Sequence, residues 1–115
     1  MIAQTRIAAN SVAEKLFAAE AAIDAAIAAV ASLTAAMPMA AQQANAGMHV
    51  GHEALMHAME SCQQLVKSRS NIIRTHSALR SAQSDVGLAA VNFGDTNCPP
   101  SAEAGAPVRH LAAVA

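Results

Sequence analysis

The sequence contains almost no aromatic side chains. It has no tryptophan and no tyrosine, and its only aromatic residues are Phe17 and Phe93. A thick globular core needs bulky side chains to fill it, so this scarcity argues against a large globular domain. Alanine supplies much of the 54% hydrophobic content. Because alanine has the highest helix propensity and strand-forming residues are scarce, the composition predicts an all-α fold.

Charge is scarce as well. Charged residues make up 13% of the chain and the formal net charge is -1, which provides no overall attraction for nucleic acid or for an acidic partner. This charged fraction is low for a soluble monomer. It suits a protein whose surface is partly covered by copies of itself.

The familiar catalytic motifs are missing too. The sequence has no GxSxG, no P-loop and no GxGxxG, which are the patterns of hydrolases and of nucleotide-binding sites. Helices that meet through alanine leave little room for a substrate pocket. We therefore expect no enzymatic activity and no cofactor.

The two cysteines and the first residues of the sequence indicate which cellular compartment to expect. Cys62 and Cys98 do not make a disulfide framework, so a reducing compartment is the default. The start of the chain shows no signal-peptide pattern. The alanine-rich stretch 18–36 is interrupted by Glu20 and Asp24, which favours a soluble helix over a membrane span. We expect a cytoplasmic protein.

What the sequence does contain is a seven-residue apolar repeat in two long segments. Large residues at one position of such a repeat and small ones at the other predict helices that pack closely along their length. In the first segment one row is Ile2, Ala9, Leu16, Ile23, Val30 and Met37, and its companion is Thr5, Val12, Ala19, Ala26 and Leu33. In the second segment one row is Gly51, Ala58, Leu65, Ile72, Leu79 and Val86, and its companion is Ala54, Ser61, Ser68, Thr75, Ala82 and Ala89.

Turn and breaker residues set the predicted boundaries. Helix one is expected over about residues 5–37, although a capping-box pattern at Ser11 allows a later start. Pro38 is expected to end it. The connection is placed at 38–47, with a helix cap expected at Asn45-Ala46-Gly47, and helix two is expected from about residue 48 to either Ser84 or Val91. Residues 1–92 are thus predicted to form a long antiparallel helical hairpin, and residues 93–115 an irregular tail rich in Pro, Gly and Ala.

Helix two carries a further apolar stripe beside its repeat. Its members are Met48, His52, Leu55, Met59, Cys62, Val66 and Ile73. One partner helix covers one stripe, so a second stripe requires a second partner. Two hairpins that pair into a four-helix bundle would cover both, and a symmetric dimer is the commonest way to do so. We therefore expect a homodimer or a higher oligomer, formed either by local hairpins or by helices exchanged between chains.

The residues expected to hold these helices together are the large apolar ones of the repeats. They are Leu16, Ile23, Val30, Leu33, Leu55, Met59, Leu65, Val66, Ile72, Ile73 and Leu79. They predict a non-enzymatic structural, scaffold or adaptor protein whose partner is itself, with another helical protein as a further possibility.

A metal-binding helical bundle is the second hypothesis. Segment 48–60 is rich in His, Met and Glu, and imidazoles and carboxylates on one helix face can share a metal ion. The candidate ligands are His49, His52, Glu53, His57 and Glu60. The segment lacks the HExxH pattern of zinc sites. A helix face exposed to solvent explains the same residues without a metal ion.

A nucleic-acid-associated oligomer is the third hypothesis. It rests on the basic run 67–80, whose candidate residues are Lys67, Arg69, Arg74 and Arg80. In an antiparallel hairpin this run lies beside the acidic half of helix one, so ion pairs between the helices explain it equally. No aromatic residues for base stacking accompany the run.

Overall fold

The computed structural model describes residues 2–88. Two α-helices, α1 (Ile2–Gln43) and α2 (His52–Asp85), are joined by a short loop and pack against each other. No strand occurs within residues 2–88. The predicted all-α helical hairpin is confirmed, whereas the tail predicted for 93–115 lies outside the described residues.

The prediction that Pro38 ends the first helix is wrong, because α1 runs through Pro38 to Gln43. A proline inside a helix removes the hydrogen bond to the carbonyl four residues earlier, here that of Thr34. The residues on both sides of the proline nevertheless pack against α2, since Met37 and Ala41 are both half-buried. Packing therefore outweighs the lost hydrogen bond, and α1 also extends back to Ile2 rather than starting near residue 5 or Ser11.

Both helices end in a Schellman motif, which needs one residue in the left-handed region. At the end of α1 this residue is Asn45 (φ 58°), and the N–H of Ala46 donates to the carbonyl of Ala41 across 2.9 Å. At the end of α2 it is Gly87 (φ 84°), where the N–H of Leu88 makes the same backward bond at 2.9 Å. The two motifs, not the proline, set where the helices stop. Helix α2 ends at Asp85, one residue beyond the earlier of its two predicted ends, Ser84, and not near Val91.

The connection consequently lies at residues 44–51 instead of the predicted 38–47, and α2 begins at His52 instead of residue 48. Gly51, the residue before α2, has φ 76°. It occupies a conformation that glycine adopts without steric cost. Residues 48–51 form turns, so α2 does not start before His52.

We call the side chains that face the other helix the inner seam. They are half-buried or buried and recur at alternating steps of four and three. In α1 the inner seam is Ala9, Ala13, Leu16, Glu20, Ile23, Ile27, Val30, Thr34, Met37 and Ala41. In α2 it is Leu55, Ala58, Cys62, Leu65, Ile72, His76, Leu79 and Gln83, with the more exposed Arg69 completing the spacing.

The structure corrects the predicted companion rows. On α2 the predicted companion residues Ala54, Ser61, Ser68, Thr75 and Ala82 are all exposed. On α1 the predicted companion residues Thr5 and Ala26 are half-buried, whereas Val12, Ala19 and Leu33 are exposed. The row that completes the inner seam lies one residue further along each helix and contains Glu20 on α1 and Arg69 and His76 on α2. A search for apolar repeats passes over a row with three charged or titratable members.

Candidate self-association surface

A second row of side chains with alternating steps of four and three runs along the exposed side of α2. We call it the outer row, and it consists of His52, Met56, Met59, Gln63, Val66, Ser70 and Ile73. All seven residues are exposed, and the apolar ones keep 41–60% of their surface in solvent. Side chains at this spacing form one continuous helix face. The outer row is therefore an apolar face of α2 that α1 does not cover.

The outer row only partly matches the apolar stripe read from the sequence. Leu55 and Cys62, which were placed in that stripe, lie in the inner seam and are half-buried against α1. Met56 was not placed in it but belongs to the outer row. Its signal was present in the sequence as a large apolar residue three positions before Met59.

A groove runs between the outer row and α1. It has a volume of about 750 Å³, and its walls include Met59 and Val66 from α2 and Ala31 and Ala35 from α1. The α2 side supplies large side chains and the α1 side supplies methyl groups. Another helix could therefore approach the α1 backbone closely beside the outer row.

Two polar pairs connect α1 to α2 beside this surface. The Nδ1 atom of His76 lies 2.7 Å from the Oε2 atom of Glu20, and the His76 side chain is buried. The Nε–H of Arg69 donates to the Oδ1 atom of Asp24 across 2.6 Å. This hydrogen bond, together with the charge of Asp24, raises the pKa of Arg69 above its ordinary value. The predicted pairing of basic α2 residues with acidic α1 residues is thus present.

An aromatic contact adds to the first pair. The rings of Phe17 and His76 meet edge to face, with their centroids 6.2 Å apart, an arrangement that aromatic rings favour. Both residues also line an apolar groove of about 270 Å³ together with Leu16, Leu79 and Val86. This groove lies where the start of α1 meets the end of α2.

The predicted interface residues divide into two groups. Seven lie in the inner seam of this chain: Leu16, Ile23, Val30, Leu55, Leu65, Ile72 and Leu79. Four are exposed: Leu33 on α1, and Met59, Val66 and Ile73 in the outer row. The exposed group is the part of the prediction that remains available to a partner.

The predicted metal ligands do not converge. His57 contacts two carboxylates, but its Nε2 atom lies 3.6 Å from Glu53 and its Nδ1 atom 3.9 Å from Glu60. The two acids therefore sit against opposite nitrogens of one ring. His49 lies in the loop and His52 at the start of α2. Within residues 2–88 no three His, Cys, Asp or Glu side chains are grouped so that they could hold a metal ion.

The predicted nucleic-acid residues occupy different environments. Arg69 is paired with Asp24, and Arg80 lines the groove beside Phe17. Lys67 and Arg74 are exposed on α2, and Lys67 also borders the groove beside the outer row. The run therefore does not form one continuous basic surface, and nucleic-acid binding stays a prediction.

The apolar composition of α1 is relevant to whether this helix could cross a membrane. It contains a window long and apolar enough to cross a bilayer, and no residue of that window is buried in the chain. A single helix of this kind is weak evidence for a membrane span, because signal sequences and the mostly buried core helices of soluble proteins can be equally long and apolar.

Comparison with known proteins gives no relative. No family model matches the chain, and no curated protein and no solved structure shows significant similarity to it.

Proposed function

We propose that this protein is a non-enzymatic helical structural module that acts by associating with copies of itself. The observation that carries the proposal is the outer row, whose apolar side chains follow the spacing of a helix-packing face but stay exposed in the single chain. Exposed apolar faces of this kind are typical of protein–protein contacts.

The composition of the contact surface supports the same function. The groove beside the outer row combines methyl groups of α1 with larger side chains of α2. Small residues let helix backbones approach closely, and larger residues from the facing helix fill the space between them. Such a surface suits a helix better than a small polar substrate.

A change in the middle of the outer row tests the proposal. Val66→Lys places a charge in the proposed contact, so we expect the variant to be a monomer of about 11.7 kDa. The wild type should sediment as a multiple of that mass at micromolar concentration. Sedimentation equilibrium measures the mass, and far-UV circular dichroism confirms that the variant remains helical.

Gln64→Lys is the matched control. Gln64 is exposed, lies two residues from Val66 and points from a different face of α2. The variant adds the same charge and should keep the mass of the wild type. A wild type that sediments at the mass of one chain would overturn the proposal.

A further inference from the structure

We infer that the partner on the outer row is the α2 helix of a second copy, running antiparallel about a two-fold axis between Glu60 and Lys67. This inference rests on the proposed function and adds the orientation and register of the contact. It is carried by a row of charged residues that flanks the outer row and by the sizes of the outer-row side chains.

The charged row consists of Glu53, Glu60, Lys67 and Arg74, at steps of seven residues. Residues seven apart lie on nearly the same face of a helix. Each member directly follows a residue of the outer row, so the charged row flanks it, and the Lys67 side chain also borders the groove beside α1. All four residues are exposed, and the Glu53 and Glu60 side chains keep 89% and 62% of their surface in solvent. The first half of the row is acidic and the second half is basic.

A two-fold axis across the helices brings the same surface of both copies together in opposite directions. The acidic half of the charged row then lies opposite the basic half of the second copy. Glu60 faces Lys67 of the second copy and Glu53 faces its Arg74, and each contact occurs twice. A two-fold axis along the helices would instead make the two α2 helices parallel. The two charged rows would then lie on opposite sides of the contact, where they cannot pair.

The charges also select one register. If the α2 helix of the second copy is shifted by one heptad along the first in one direction, the two copies of Glu60 lie opposite each other. A shift in the other direction places the two copies of Lys67 opposite each other. Both shifts put like charges at the centre of the contact, whereas the unshifted pair has only opposite charges. Exposed ion pairs set orientation and partner choice more than they set strength.

Side-chain sizes in the outer row agree with the same register. Large residues then meet small, polar or flexible ones, which is how facing helices fill the space between them. The facing pairs are Met59 with Ser70, Val66 with Gln63, and Ile73 with Met56. Beside this contact, Ala31 and Ala35 leave room along α1 for the helix of the second copy.

Charge reversal tests the arrangement. Glu60→Lys and Lys67→Glu each place like charges opposite each other at two contacts, so each variant alone should self-associate about tenfold more weakly than the wild type. An equal mixture of the two variants pairs opposite charges again and should form mixed dimers in preference to either pure dimer. The double variant E60K/K67E should recover the affinity of the wild type.

Native mass spectrometry, with one variant labelled with ¹⁵N, counts the mixed and pure dimers. Lys15→Glu is the control, since Lys15 is exposed on α1 and the change in net charge equals that of Lys67→Glu. It should associate like the wild type, and an equal loss there would overturn the inference. A wild type that associates while the mixture shows no preference would overturn this register and leave the proposed function standing. A monomeric wild type would overturn both.

Discussion

The buried imidazole of His76 lies in the contact between α1 and α2. Among residues 2–88 it is the only buried polar side chain, with 6% of its surface exposed. A buried polar group destabilises the fold unless it is hydrogen-bonded. Glu20 reaches across from α1 to its Nδ1 atom, and Phe17 covers the ring edge to face.

We expect Glu20→Ala to lower the free energy of unfolding by about 1–3 kcal/mol, because His76 loses its carboxylate partner while remaining buried. Urea unfolding followed by circular dichroism measures this loss. Glu14→Ala is the control, since Glu14 is an exposed acid of the same helix, and it should leave the transition almost unchanged.

The double variant Glu20→Leu with His76→Leu should recover most of the stability, since replacing both members of a polar pair at a packed contact with apolar residues is often neutral, and His76 is buried while Glu20 is half-buried. Equal transitions for Glu20→Ala and Glu14→Ala would show that the pair does not stabilise the hairpin.

At the scale of single residues, the sequence predicts the apolar members of the inner seam but not its polar members. The apolar half of each inner seam was predictable, as Leu16, Ile23 and Val30 lie where their spacing placed them. The other half was not, because a row containing Glu20 resembles a solvated face until its partner is known. Only the structure brings Glu20 and His76, 56 positions apart in sequence, into contact.

At the scale of the helix, α1 shows how tertiary contacts override a local breaker. Pro38 leaves the carbonyl of Thr34 without its helical donor, yet α1 stays helical for five more residues to Gln43. The existence of two helices was predictable from alanine content and periodicity. Their ends were predictable only in part. The sequence marks Asn45 as part of a helix cap and Gly87 as a glycine near the end of α2, but only the backbone hydrogen bonds show that Asn45, rather than Pro38, ends α1.

We expect Pro38→Ala to stabilise the protein by roughly 1–3 kcal/mol. The substitution restores a backbone donor within α1 and relieves the clash of the proline ring with the preceding turn. The greater freedom of the unfolded chain offsets a small part of this gain. Urea unfolding measures the difference.

Met39→Ala is the control for this prediction. It changes an exposed side chain next to Pro38 without altering the backbone. An unchanged or lower stability for Pro38→Ala would show that the proline does not strain α1.

At the scale of the whole molecule, the hairpin is a narrow structure with two apolar faces on α2. The inner seam is covered by α1, while the outer row is not covered by any residue from 2 to 88. The presence of a second apolar stripe on α2 was predictable from the sequence, whereas a partner for it stays a prediction. The composition of the outer row became clear only when the structure separated Leu55 and Cys62 from it.

We expect the melting temperature of the wild type to rise with protein concentration, because association stabilises only the folded chain. For two copies that unfold together, a tenfold increase in concentration should raise Tm by roughly 4 °C. Differential scanning calorimetry at several concentrations measures this. The Val66→Lys variant should melt at one temperature throughout, and a constant Tm for the wild type would contradict self-association.

The narrow contact between α1 and α2 also has a calorimetric consequence. Among residues 2–88 only two apolar side chains, Leu16 and Leu88, are buried. The heat capacity of unfolding arises mainly from apolar surface that becomes hydrated, and in ordinary domains it is about 12–15 cal/mol/K per residue. A lone hairpin should fall below this range and have a flat stability curve. Association through the outer row adds apolar burial, so the paired form should gain the curvature of an ordinary domain and show a distinct temperature of maximum stability.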